Sequence, residues 1–113
     1  MALAFREVMK SGRYGAPITS DYVLDETTTL LRMRKGIAPA LSFLDQAFQS
    51  RNLNLVWMDP SLFKAATGVL RESHEARWSF TDCASFAIMR QLGIKEAFTF
   101  DGNFEEAGFT KLP

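Results

Sequence analysis

Residues 80–101 read FTDCASFAIMRQLGIKEAFTFD: an amphipathic helix, a short loop and an apolar strand, in that order. A helix that hands over so quickly to a strand belongs to a layered α/β chain rather than a bundle or a sandwich. The same alternation recurs upstream. APITS (16–20) reads as a strand, and Ser20 can cap a helix from Asp21 to about Lys35, with Gly36 as its stop. Residues 38–51 form a second amphipathic pattern, and LNLVWMD (53–59) a strand. Asp59 followed by Pro60 is a cap with proline at the first helical position, opening a helix to about Glu72. After the polar connector RESHEARW, the helix of the quoted unit spans about 82–92 and stops at Gly93. EAFTF is then a strand, GNFEEAG a helical turn and FTKL a last short strand.

The chain opens on ALAFREVMKS, whose Ala, Leu, Glu and Lys content predicts a helix over 2–11, closed by Gly12, Gly15 and Pro17. The resulting expectation is an α/β domain with a short, mainly parallel sheet and no strand before the first helix. With 113 residues and no linker, residues 1–113 are expected to form a single domain.

Charge excludes one easy route to function. Lys plus Arg and Asp plus Glu number 13 each, so no overall basic character argues for nucleic acid. Arg32, Met33, Arg34 and Lys35 read as a solvated helix end, where cations suit the carbonyl dipole. Cys83 is the one cysteine and His74 the one histidine, so there is no internal disulfide and no metal cage of Cys and His. Cys83 reads as a small packing residue and His74 as an exposed loop residue. No run approaches the ~18 apolar residues of a membrane span, and the simplest compartment is a reducing cytoplasm.

Three acids stand in unusual places. On helix 21–35, at ~100° per residue, Glu26 falls within the apolar arc of Tyr22, Leu30 and Met33, while Asp25 points to solvent. Asp82 heads the core-facing stripe of Phe86 and Met89, and Asp101 follows an apolar strand at its carboxyl end. Each has a structural reading. Ser79 to Asp82 fits a capping box, Asp101 before Gly102 can shape a turn, and Glu26 can pair with an arginine. Together they suggest more. Converging carboxylates repel, and one would take up a proton unless a cation joins them. Hard oxygen donors with room for water suit Mg²⁺ or Mn²⁺, ions that serve phosphodiester hydrolysis.

At this point the segments ITSDYVLDETTTLL and WSFTDCASFAIMRQLGIKEAFTFDGNFEEAGF closely resemble the PIN domain, and within it the VapC-like toxins of toxin–antitoxin pairs. The resemblance implies a three-layer α/β/α fold and a divalent-metal-dependent endoribonuclease acting on RNA. It places Glu26, Asp82 and Asp101 at the family's catalytic, metal-binding positions. Asn103 stands where members carry a further acid or polar residue, a secondary ligand, and Thr81 where a hydroxyl supports the site. Arg77 and Arg90 are the basic residues expected to meet phosphate. The resemblance also implies an antitoxin protein as partner.

One departure is large. Members begin with a central strand ending in an aspartate, and nothing in this sequence matches it. The chain therefore reads as an N-terminally truncated PIN-like domain whose metal site is weakened. Two strand edges would be left unpaired, which favours a homo-oligomer, such as a dimer formed by domain exchange. A second reading is a non-catalytic PIN-like module that binds an antitoxin, or itself, through helices 21–35 and 38–51. A hydrolase of small phosphoesters ranks lower, because no Gly-rich phosphate loop accompanies the acids.

Overall fold

In the computed structural model, residues 2–8, 14–99 and 101–112 are described, and side chains from residue 17 onward. Five strands form one sheet in the order β3-β2-β1-β4-β5. They are β1 (Ala2–Val8), β2 (Tyr14–Ser20), β3 (Asn54–Val56), β4 (Glu96–Thr99) and β5 (Thr110–Leu112). The helices are α1 (Asp21–Lys35), α2 (Ile37–Gln49), α3 (Pro60–Glu72), α4 (Phe80–Leu92) and the single turn α5 (Asn103–Glu106). Gly12, the expected helix stop, and Phe100, the expected strand end, lie outside the described residues.

The sequence signals for helix starts operate as written. The Ser20 hydroxyl accepts from the Val23 N–H at 3.2 Å, and the Asp59 carboxylate accepts from the Leu62 N–H at 2.8 Å, with Pro60 leading α3. Gly36 ends α1 at φ 100°, a left-handed conformation that a Cβ would strain, and this lets α2 begin at once. Helix α4 begins at Phe80, before Asp82, because Ser79 is its cap.

The first element is a correction. The helix expected over 2–11 is the strand β1, and it lies in the middle of the sheet. It runs antiparallel to both neighbours, with Phe5 opposite Ile18 of β2 and Ala97 of β4, and Ala2 opposite Thr99. The other contacts, β2 with β3 and β4 with β5, are parallel. The physical reason is that two flanking strands with free N–H and C=O groups reward extended backbone more than a few tenths of a kcal/mol of helix propensity per residue rewards a helix. The two strand edges expected to stand unpaired are therefore paired within the chain, and they no longer argue for an exchanged dimer.

Helix α4 is the centre of the core. Every residue from Asp82 to Met89 is buried. Its most extensive helix partner is α3, where Leu62, Ala66 and Val69 join the core cluster. Phe86 meets Trp78, Phe104 and Phe109 with ring centroids 5.0, 4.8 and 5.6 Å apart. Cys83 is fully buried in this core, and burial pushes its thiol up, so it packs rather than reacts. His74 is exposed, at φ 43°, in the connector.

Candidate active site

The strand ends and helix starts meet at one rim. Helix α1 leaves the end of β2, Asp101 follows β4, and Asp82 lies in the first turn of α4. Glu26 is on the second turn of α1, half-buried, whereas its neighbour Asp25 is exposed, as the helical phase requires.

Hydrogen bonds tie two of the acids together. Asp82 Oδ2 accepts from the Ser79 N–H at 3.1 Å and from Asn103 Nδ2 at 3.2 Å. Asp101 Oδ1 accepts from the Asn103 N–H at 2.9 Å. Asn103 thus touches Asp82 with its side chain and Asp101 with its backbone. The Asp101 N–H in turn donates to Thr99 Oγ1 at 2.9 Å, and Thr99 is buried. The cap at Ser79 and the turn at Asp101 are present, so both structural readings of these acids hold alongside any chemical one.

Glu26 joins the group electrostatically. Its carboxyl is raised above the usual glutamate range, by burial first, then by the charges of Asp82 and Asp101. A hydrogen bond with the Thr81 side chain works in the opposite direction. A carboxylate feels like charges this way only when they lie close, so Asp82 and Asp101 are both near Glu26.

The basic residues divide. Arg77 is exposed, three residues before α4 begins and therefore near its start. Arg90 is not brought to the rim. It lies in the last turn of α4, eight residues or about 12 Å along the axis from Asp82, and pairs with Glu72 at 2.9 Å. Thr99 was not singled out from the sequence. The signal for it is a hydroxyl two residues before Asp101, the spacing at which such a side chain bonds backbone.

Among the described residues, no group of three or more Asp, Glu, His or Cys side chains is placed so as to hold a metal ion. The donor chemistry nonetheless fits a hard cation. All three acids offer oxygen, and Asn103 offers an amide oxygen beside Asp82. Mg²⁺ typically keeps several waters and takes one or two carboxylates rather than a full protein cage.

An α/β sheet with acids gathered beyond the carboxyl ends of its strands defines a class: proteins whose site is built at that rim from strand ends and helix starts. The comparisons with known proteins are specific within it. The PIN domain family matches residues 2–110, and the chain belongs to that family. It is 37% identical over 95 residues to the 23S rRNA-specific endonuclease VapC20 of Mycobacterium tuberculosis, an alignment that covers 84% of this chain and 72% of that protein. It is 31% identical over 94 residues to a VapC ribonuclease of Archaeoglobus fulgidus, covering 82% of this chain and 58% of the relative. The crystal structure of Mycobacterium tuberculosis VapC20, described as a Sarcin-Ricin loop cleaving toxin, superposes with a TM-score of 0.79 over 84% of this chain and 72% of that one. No helix of the described residues is long and apolar enough to cross a membrane.

Proposed function

We propose that this chain is a PIN-type toxin endoribonuclease that hydrolyses a phosphodiester of RNA with Mg²⁺ or Mn²⁺ held by Glu26, Asp82 and Asp101. The observation that supports this reading is the Asn103 link between Asp82 and Asp101, with Glu26 close enough for both charges to act on its carboxyl. Kinship with VapC ribonucleases supports the same reaction class. A divalent ion, when bound, polarises the phosphate and lowers the pKa of a water.

The chain's own residues do the rest. Glu26 would join the site as the carboxylate, held by its hydrogen bond with the Thr81 side chain. Asn103 spaces Asp82 from Asp101 without adding a charge. Thr99 holds the Asp101 backbone in the turn that aims its carboxylate. Arg77, free of the Glu72 pair that occupies Arg90, is the cation assigned to the RNA backbone.

An antitoxin is the protein partner this reading implies, and one surface supports it. Met33 of α1, Ile37, Leu41 and Phe48 of α2, and Trp57 after β3 are exposed apolar side chains. Phe48 and Trp57 border a cleft of about 260 Å³ with Leu24 and Leu44. Exposed apolar residues grouped in this way suit a protein interface, either with an antitoxin or between two copies.

The deciding experiment is a paired assay of RNA cleavage and thermal stability with Mn²⁺. Cleavage that requires Mn²⁺, a melting point raised by Mn²⁺, and loss of both in Asp101→Asn support the enzyme. A parent protein with neither response is the binding module instead.

A further inference from the structure

A cleft opens beside the first turn of α1. It has a volume of about 460 Å³ and is lined by Tyr22, Met58, Asp59, Pro60, Phe63 and Lys64. Its walls come from the starts of α1 and α3 and the segment after β3. The Asp21 carboxylate holds this floor in place by accepting from the Met58 N–H at 3.0 Å.

Phe80 joins the aromatic wall. Its ring centroid lies 4.9 Å from that of Phe63 and 6.1 Å from that of Tyr22, tilted by 48° and 50°. Phe63 is 48% exposed although it is a large aromatic residue next to two others.

Residues of the cleft wall are close neighbours along the chain of residues of the acidic rim. Tyr22 and Glu26 are four residues apart on α1, so they are neighbours on one face. Phe80 directly precedes Thr81, which bonds Glu26, and stands two residues before Asp82. Lys64 borders the cleft and is exposed. The Asp59 carboxylate, which could repel an anion, is engaged at the N-terminus of α3, where the helix dipole offsets its charge.

We infer that this cleft is a subsite for one unpaired nucleobase of the RNA, stacked on Phe63 and Tyr22, with Lys64 on the adjoining phosphate. The inference rests on the nuclease reading and adds a substrate determinant to it. Aromatic faces hold bases of single-stranded RNA whatever their identity, because every base has a π-face. Three neighbouring rings with an exposed lysine beside them suit a stacked base and its phosphate. A base seated there places its flanking phosphate toward Glu26, Asp82 and Asp101.

The test measures binding without cleavage. A fluorescein-labelled single-stranded oligoribonucleotide of about 12 nucleotides is titrated in EDTA and followed by anisotropy. Phe63→Ala and Phe63→Leu are expected to weaken binding by about tenfold, and Phe63→Trp to restore it. Lys64→Ala is expected to weaken binding and reduce the salt slope by about 1. All four variants are expected to keep the parent's Mn²⁺-induced rise in melting point, which also shows that they fold. If Phe63→Leu or Phe63→Ala binds RNA as the parent does while Mn²⁺ still raises its melting point, the base subsite is wrong and the nuclease reading stands. If Phe63→Ala changes the sedimentation coefficient and leaves RNA binding intact, the cleft is a protein contact and the inference is overturned. If the parent neither binds RNA nor responds to Mn²⁺, both readings fall together.

Discussion

The side-chain amide of Asn103 donates to Asp82 Oδ2 at 3.2 Å, in a position where an acid would set two like charges against each other. Asp82 is almost wholly buried, so this bond replaces hydration that the carboxylate has lost. Asn103→Asp is expected to lower the stability of the metal-free protein by about 1–3 kcal/mol. Mn²⁺ should then raise the melting point of the variant more than that of the parent, since the ion relieves the new repulsion. Thermal melts in EDTA and in Mn²⁺ check both halves.

Glu26 gives a pH signature. Its folded-state carboxyl is raised by burial and by Asp82 and Asp101, so the native state binds its proton more tightly than the unfolded chain does. Its contribution to stability is fully present below the unfolded value and is lost as pH rises through the raised folded value. Metal-free Glu26→Gln should therefore be more stable than the parent at neutral pH, with the difference closing in acid. For the same reason the parent's Mn²⁺ affinity should fall as pH drops through that raised value, because the ion competes with a proton. Melting curves across pH and Mn²⁺ titrations measure the two trends.

Asp82 caps α4 and is also proposed to hold the metal, and substitution can separate these roles. Its carboxylate accepts the Ser79 N–H while the Ser79 hydroxyl accepts the Asp82 N–H at 3.0 Å. Ser79→Ala is expected to cost about 1 kcal/mol of stability and leave Mn²⁺-dependent cleavage in place. Asp82→Asn keeps an oxygen for the cap and should cost less stability, yet abolish cleavage. Denaturant melts beside an RNA cleavage assay distinguish the two.

Phe86 holds three rings at once, those of Trp78, Phe104 and Phe109. Phe86→Ala is expected to cost about 3–5 kcal/mol, a large share of the ~5–15 kcal/mol that holds a small domain together. Phe104 opens into the turn next to Asn103, so the same variant should also loosen the Asp82–Asn103 contact. Chemical denaturation and amide exchange at Asn103 report these effects.

Much of this was legible from residues that act locally. Ser20 and Gly36 bound α1 at the expected positions, and Asp59 with Pro60 placed the start of α3. The inward turn of Glu26 and the outward turn of Asp25 follow from one helical period. What could not be read is what depends on partners far along the chain. ALAFREV becomes a strand because β2 and β4 stand on either side of it, and nothing within those residues announces that. Arg90 looked available because Glu72, 18 residues away, is invisible as its partner. The aromatic cleft draws Tyr22, Phe63 and Phe80 from three helices, so no single window of sequence contains it.

The reversed direction of β1 has a chemical corollary. A strand that runs against its neighbours brings its beginning, not its finish, to the edge where the others terminate, and Ala2 accordingly sits across from Thr99. The described residues there, Ala2, Leu3 and Ala4, carry no ionisable side chain. Among the described residues, the acids of the rim come from the elements on either side of this strand, Glu26 from α1, Asp82 from α4 and Asp101 after β4.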